Sequence, residues 1–126
     1  MHAGTIFSIV ESSSHPNFSP LYQRLGLTEI RLDSQRKAIS ELKKIQPDYV
    51  VADFIYAFAT YYQATNISNL DVLLNSLVKY APQARVIVLA GKDDLDRVDK
   101  LNDILPLHAV LSYPVSESAM ESALTD

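Results

Sequence analysis

The pattern of apolar and polar residues changes along the chain between two forms, one typical of buried strands and one typical of amphipathic helices. Short apolar runs predict five strands, at residues 5–10, 29–32, 48–52, 85–89 and 108–112. Between strands, apolar residues recur at helical spacing in three segments, which comprise Ala38, Ile39, Leu42 and Ile45; Leu70, Leu73, Leu74, Leu77 and Val78; and Leu95, Val98, Leu101, Ile104 and Leu105. Strands that alternate with helices predict an α/β domain whose parallel sheet is covered on both faces.

Polar residues and turn formers predict where the helices begin and end. Ser34 and Ser116 are expected to be helix N-caps, and Ser68 stands at capping-box spacing from Asp71. A short first helix over residues 19–25 is expected to stop at a glycine, and prolines are expected to end two later helices; these residues are Gly26, Pro47 and Pro82.

Composition and charge narrow the possible functions. A chain of 126 residues with 48% apolar and 21% charged residues predicts one domain, spanning residues 1–126, with a single sizeable core. A net charge of −4 argues against a nucleic-acid partner, and the basic residues of the second helix are interpreted as a solvated face. The absence of cysteine excludes disulfides and thiolate metal sites. With no signal peptide or long apolar stretch recognised, we expect a cytoplasmic protein without membrane contact.

The third strand ends in a single carboxylate, Asp53, which is the main candidate functional residue. Ligands of open α/β sheets gather at the carboxyl ends of the strands, so chemistry is expected there. The fourth and fifth strands end in Ala90-Gly91 and Tyr113-Pro114, which place neither an aliphatic hydroxyl nor an ammonium group at the tip. The alternative is that Asp53 only accepts hydrogen bonds from nearby backbone amides.

The segment after this carboxylate, residues 54–66, is long and strongly aromatic, and its side chains include Phe54, Tyr56, Phe58, Tyr61 and Tyr62. Long loops in compact domains are uncommon unless functional, and exposed aromatic residues are typical anchors for a partner or an apolar ligand. The alternative for the first three is that they fold back over the edge of the sheet. For the last two we favour exposure.

No other set of residues predicts a site. The three histidines, His2, His15 and His108, do not form a metal-ligating cluster in the sequence, although His15 can approach Asp53 in space. The three glycines form no phosphate-binding loop, so neither a nucleotide nor another cofactor is expected. The serines of the first loop lack the Gly-x-Ser-x-Gly turn of a nucleophile, which leaves hydrolase chemistry as a weak third choice.

The strand-end motifs at residues 47–53, 86–91 and 111–114 resemble those of the receiver domain of bacterial two-component response regulators. The resemblance covers essentially the whole chain. It implies a single three-layer, doubly wound, flavodoxin-like domain, with a five-stranded parallel sheet of order 2-1-3-4-5 flanked by about five helices. Asp53 then takes the phosphoacceptor position, Ala90 that of a Ser or Thr, and Tyr113-Pro114 that of a Lys-Pro pair. Glu11-Ser12 takes the position of two adjacent metal-binding acidic residues.

Each departure from the family pattern weakens phosphoryl chemistry. Ser12 replaces one carboxylate, so Glu11 and Asp53 remain as ligands for a weakly held Mg²⁺ at most. Ala90 has no hydroxyl, and Tyr113 has no positive charge although its phenol can donate a hydrogen bond. Lys92 is the candidate surrogate cation; the alternative is that it belongs to a solvated loop before the fourth helix.

The sequence therefore predicts a stand-alone pseudo-receiver, not an enzyme, that acts in bacterial signalling by protein–protein interaction. It is expected to work as a homodimer or with a larger signalling protein, through the aromatic segment or the surface of the last two helices and fifth strand. Two alternatives stay open. One is an atypical phosphoacceptor using Asp53, Glu11 and Lys92, and the other is a small-ligand sensor using the aromatic segment.

Overall fold

A computed structural model describes residues 4–56 and 68–125, which form a parallel sheet of order β2-β1-β3-β4-β5. The strands are β1 (Gly4–Ile9), β2 (Leu27–Leu32), β3 (Tyr49–Asp53), β4 (Arg85–Ala90) and β5 (Ala109–Ser112). All neighbouring strands are parallel, so their carboxyl ends meet at one edge of the sheet. The predicted α/β class and strand order are confirmed.

The helices cover both faces of this sheet. They are α1 (Ser19–Arg24), α2 (Gln35–Leu42), α3 (Asp71–Tyr80), α4 (Leu95–Asp99) and α5 (Glu117–Thr125), and 3₁₀ turns Lys92–Asp94 and Lys100–Asp103 flank α4. Alternate residues of β3 serve the two faces: Val50 packs with α2, α3 and α4, whereas Val51 packs with α1 and α5. None of the helices in the described ranges is long and apolar enough to cross a lipid bilayer.

The predicted serine caps are confirmed at α2 and α5, and the predicted capping box before α3 is formed in part. The Ser34 hydroxyl accepts a hydrogen bond from the Lys37 amide, and the Ser116 hydroxyl accepts one from the Ala119 amide. Before α3, Asp71 Oδ1 accepts from the Ser68 amide at 2.8 Å, which is the return half of the predicted capping box. These bonds fix where the chain leaves the carboxyl edge of the sheet.

Several boundaries and exposures differ from the sequence prediction. Strand β2 begins at Leu27, two residues earlier than expected, because Gly26 adopts a φ of 79° and turns the chain directly out of α1. Val78 and Leu95 are exposed, at 46% and 39%, because Val78 lies at the margin of the α3 stripe and Leu95 is the first residue of a short α4. Ile45 is also exposed, since α2 ends at Leu42.

Candidate functional site

Asp53 is the last residue of β3 and is fully buried at the carboxyl edge of the sheet. Its Oδ2 atom accepts hydrogen bonds from two consecutive backbone amides of the loop after β1, Glu11 at 2.9 Å and Ser12 at 3.0 Å. The sequence had left this arrangement open as the alternative to a phosphoacceptor. The carboxylate therefore anchors the β1–α1 loop to the middle of the sheet.

Tyr113 closes the site from the other side. Its phenol donates to Asp53 Oδ1 at 2.5 Å, and its amide donates to the carbonyl of Ala90 at 3.0 Å. The Tyr113-Pro114 peptide bond is cis. Tyr113 thus occupies the space beside the carboxylate with a hydrogen-bond donor, as its side-chain chemistry allowed.

His15 is the third side chain on the carboxylate. Its Nδ1 atom lies 3.1 Å from Asp53 Oδ1 and 3.0 Å from Oδ2, and the imidazole is only 1% exposed. A turn places it there: the His15 amide donates to the Ser12 carbonyl at 3.1 Å, and the Ser14 amide donates to the Ser12 hydroxyl. The sequence allowed His15 to approach Asp53 but assigned it no role, so this contact is the main addition from the structure.

These donors set the charge state of the site. Burial by itself would raise the pKa of Asp53, but hydrogen bonds from His15, Tyr113 and the Glu11 amide, together with the charge of His15, hold that pKa below its usual value. Burial, followed by the hydrogen bond and the negative charge of Asp53, raises the pKa of the Tyr113 phenol well above its ordinary value. Asp53 is therefore the anion of the site, and Tyr113 remains a protonated donor.

The Glu11 carboxylate is held by a second hydrogen-bond network, beside that of Asp53. Its Oε1 atom accepts from Gln35 Nε2 at 2.7 Å and from Asn69 Nδ2 at 2.8 Å. Asn69 Nδ2 also donates to the Asp53 carbonyl, while Asn69 Oδ1 accepts from the Ile55 amide. Asn69, which follows the aromatic segment, therefore joins the β1–α1 loop to the start of that segment, a role that the sequence did not suggest.

This donor set does not suit Mg²⁺. Hydrogen-bond donors already contact both oxygens of Asp53, one oxygen of Glu11 holds two amides, and Ser12 contributes no carboxylate. Residues 4–56 and 68–125 contain no group of three or more His, Cys, Asp and Glu side chains arranged to hold a metal ion.

Two other predicted site residues lie apart from this chemistry. Ala90 is fully buried at the end of β4 and contributes only its carbonyl, which accepts from Tyr113. Lys92 lies exposed in the turn before α4, and among the described residues no ion pair connects it to Asp53. In this structure the basic side chain on Asp53 is His15. The surrogate role of Lys92 stays a prediction.

The aromatic segment is described only in part. Phe54 is 4% exposed and packs in the core, which corresponds to the fold-back alternative. Tyr56 is partly buried, pairs with Ser68, and carries the Arg97 guanidinium 4.0 Å above its ring centroid. The other three predicted interaction residues lie outside the described residues, so their exposure stays a prediction; they are Phe58, Tyr61 and Tyr62.

Solved structures with the same fold are response-regulator receiver domains. One is a Burkholderia pseudomallei response regulator with a phosphorylated aspartic acid, a calcium ion and citrate. Its sequence is 16% identical to this chain and the TM-score is 0.72; the match covers 97% of this chain and 66% of that one. A Thermotoga maritima response regulator is 15% identical with a TM-score of 0.72, covering 98% and 95% of the two chains.

A third similar structure belongs to a family of streptococcal redox sensors that evolved from two-component response regulators. It is 12% identical with a TM-score of 0.74, and the match covers 97% of this chain and 49% of that one. The chain thus spans just under two thirds of the Burkholderia chain and about half of the streptococcal one. No protein-family model and no curated protein sequence matches the chain. At these identities, the similarity establishes the receiver-like, flavodoxin-like fold.

Proposed function

We propose that this domain is a pseudo-receiver, which acts in bacterial signalling by protein–protein interaction and not by conventional phosphorylation or as an enzyme. The observation that carries the proposal is the fully engaged carboxylate of Asp53. Three side-chain or backbone donors besides His15 contact its two oxygens, and His15 contacts both.

An acceptor carboxylate must present a free oxygen to the phosphorus atom and needs positive charge around the transferred oxygens. On Asp53, either oxygen becomes free only when at least one charge-assisted hydrogen bond breaks, and each such bond contributes about 1.5–3 kcal/mol. Phosphorylation would also add negative charge beside Glu11, where the donor set does not suit a divalent metal. The same contacts instead support a structural role, in which Asp53 fixes the β1–α1 and β5–α5 loops.

The interaction surface that we favour lies around β5 and α4. Strand β5 is at the edge of the sheet, so one side of its backbone pairs with no other strand of the described ranges and can pair with a partner. Val110 on β5 is 38% exposed and Leu95 on α4 is 39% exposed. Such apolar side chains beside an open strand edge suit a second copy of the chain or a larger signalling protein, in the cytoplasm.

A titration with beryllofluoride and Mg²⁺, followed by amide NMR, tests the loss of phosphoryl chemistry. Beryllofluoride mimics a phosphoryl group on a carboxylate. We expect no saturable shifts at Glu11, Ser12, Asp53 or Ala90 in the wild type. Saturable shifts that disappear in Asp53→Asn would overturn the proposal and favour the atypical phosphoacceptor, with Lys92 as the next residue to replace.

Sedimentation equilibrium tests the proposed surface. If the chain forms a dimer through β5, Val110→Glu is expected to shift it to monomer, because a charge would be buried at the interface. Val72→Glu is the matched control, since Val72 is 54% exposed on α3, away from β5. Equal dimer affinity in wild type and Val110→Glu would exclude this surface, and a monomeric wild type would restrict the proposal to a different protein as partner.

A further inference from the structure

A cleft of about 410 Å³ lies beside the Asp53 site, at the carboxyl ends of β1 and β2, and its lining residues are Val10, Arg31, Leu32, Asp33 and Lys37. The volume is in the range of roughly 300–1,000 Å³ that is typical of small-molecule sites. The cleft lies at the carboxyl edge of the sheet, one strand away from the switch point between β1 and β3 where doubly wound folds bind their ligands. The cleft involves none of the aromatic residues that the sequence had suggested for ligand binding.

The charges around this cleft favour an anion. Arg31 is exposed and forms no ion pair with any other residue of the described ranges. Lys37 Nζ lies 2.9 Å from Asp33 Oδ1, but both side chains remain largely exposed, so this pair is easily exchanged. The first turn of the eight-residue helix α2 also faces this end of the sheet and adds the positive end of its dipole.

We propose that this cleft binds a phosphorylated small molecule that carries hydroxyl groups, of the size of a sugar phosphate. The planar guanidinium of Arg31 pairs with the phosphate through two N–H groups, and Lys37 supplies a second positive charge. Asp33, released from Lys37, accepts hydrogen bonds from the hydroxyl groups of the ligand. Val10 and Leu32 form the apolar wall.

The cleft is connected to the Asp53 site through two short paths. Val10 precedes Glu11, whose amide donates to Asp53, and the Val10 amide donates to the Leu32 carbonyl at 2.8 Å. Gln35, in the same helical turn as Lys37, donates to the Glu11 carboxylate. A ligand that moves β1 or α2 therefore moves the contacts of the Asp53 carboxylate. Its role as the input signal rests on the proposed function, whereas the binding site does not.

Titration with ribose 5-phosphate, followed by amide NMR of the full chain, tests the site. We expect saturable shifts at Val10, Leu32 and Lys37, and binding weakened by about tenfold or more in Arg31→Gln, because one charge-assisted contact is lost. Arg36→Gln is the matched control. Arg36 is an exposed cation on α2, next to Lys37, but it does not line the cleft, so its loss should change the affinity by less than about threefold.

Neutral ribose and inorganic phosphate are the two comparison ligands. Ribose is expected to give no saturable shift, and inorganic phosphate is expected to bind more weakly than ribose 5-phosphate. The proposal is overturned if ribose 5-phosphate gives no saturable shift at about 10 mM, if Arg31→Gln binds it as well as wild type, or if inorganic phosphate binds equally well. The beryllofluoride titration monitors Asp53 independently of this cleft. An absence of ligand binding in the cleft can therefore be distinguished from a failure of the pseudo-receiver proposal.

Discussion

His15 and Asp53 are separated by 38 positions in the sequence, yet the imidazole Nδ1 lies within 3.1 Å of both carboxylate oxygens. Both side chains are almost completely removed from solvent. A buried carboxylate is stable only when it is paired or well hydrogen-bonded. The residue that follows β5 beside Asp53 is Tyr113, which carries no basic group. The basic partner of Asp53 is instead His15, from the β1–α1 loop.

Replacement of His15 by alanine should destabilise the fold strongly. The change leaves a buried carboxylate without its basic partner, a loss of about 3 kcal/mol or more in the free energy of unfolding. His15→Asn is the control, because its side-chain amide can donate from nearly the position of Nδ1 and should recover part of this loss. Urea unfolding at pH 7 measures both. Equal losses in the two variants would show that cavity formation, not the bond to Asp53, explains the effect.

Replacement of Tyr113 by phenylalanine removes one donor and keeps the ring. We expect a loss of about 1.5 kcal/mol in the free energy of unfolding, since the hydrogen bond is made to a charged acceptor. Tyr80→Phe serves as the control, because the Tyr80 ring is also partly buried but its hydroxyl has no hydrogen-bond partner among the residues that the structure describes. If both variants lose the same amount, the phenol of Tyr113 does not stabilise the Asp53 carboxylate.

Much of the fold was predictable because the apolar runs of the strands are nearly continuous. Residues such as Val50 and Val51 pack on opposite faces of the sheet, and burial of both requires a sheet with two covered faces, which is typical of parallel sheets. The start of β2 was not predictable to the residue, since it depends on the φ of Gly26. The exposure of Val78 could not be predicted from helical spacing, because the neighbouring elements decide which residues at the margin of an apolar stripe are buried.

The site was predictable where it follows from the end of a strand. Asp53 was identified in this way, and the hydrogen-bonding capacity of Tyr113 followed from its chemistry. The contact of His15 depends on the turn at residues 12–15, and no periodicity encodes that turn. Asn69 was missed because it lies inside a capping box, where only Ser68 and Asp71 carry a sequence signal.

Asp53 should make the stability of the fold depend on pH in the acid range. Its pKa in the folded protein lies below the unfolded value of about 3.9, so the unfolded chain binds more protons there. The stability that Asp53 contributes is fully present above the unfolded pKa and is lost as the pH falls through the lower, folded pKa.

Two measurements check this dependence. Urea unfolding between pH 6 and pH 3 should show a steeper loss of stability in wild type than in Asp53→Asn, since only the wild type carries this carboxyl group. Other acidic residues titrate in both proteins and cancel in the comparison. Carbon-13 NMR of the Asp53 carboxyl group gives its pKa directly, and a value at or above the ordinary one would contradict the charge state described for the site.

Asn69 is predicted to hold the aromatic segment against the Asp53 site. Alanine at this position removes the donor to Glu11 and to the Asp53 carbonyl and the acceptor of the Ile55 amide, which should lower the free energy of unfolding by about 2 kcal/mol. Asn75→Ala is the control, because that side chain donates one bond to a carbonyl within α3 and should lose less than about 1 kcal/mol.

The variant Asn69→Asp separates the clamp from a simple loss of packing. It has nearly the same shape as asparagine but places a second carboxylate against Glu11, whose Oε1 atom lies 2.8 Å from Asn69 Nδ2 in the native protein. Repulsion between the two charges should destabilise this variant more than alanine at pH 7, and protonation near pH 4 should reverse part of the difference. A loss that is independent of pH would mean that Asn69 and Glu11 do not interact in solution, and that the β1–α1 loop is held without Asn69, by contacts such as those of Asp53 and Gln35.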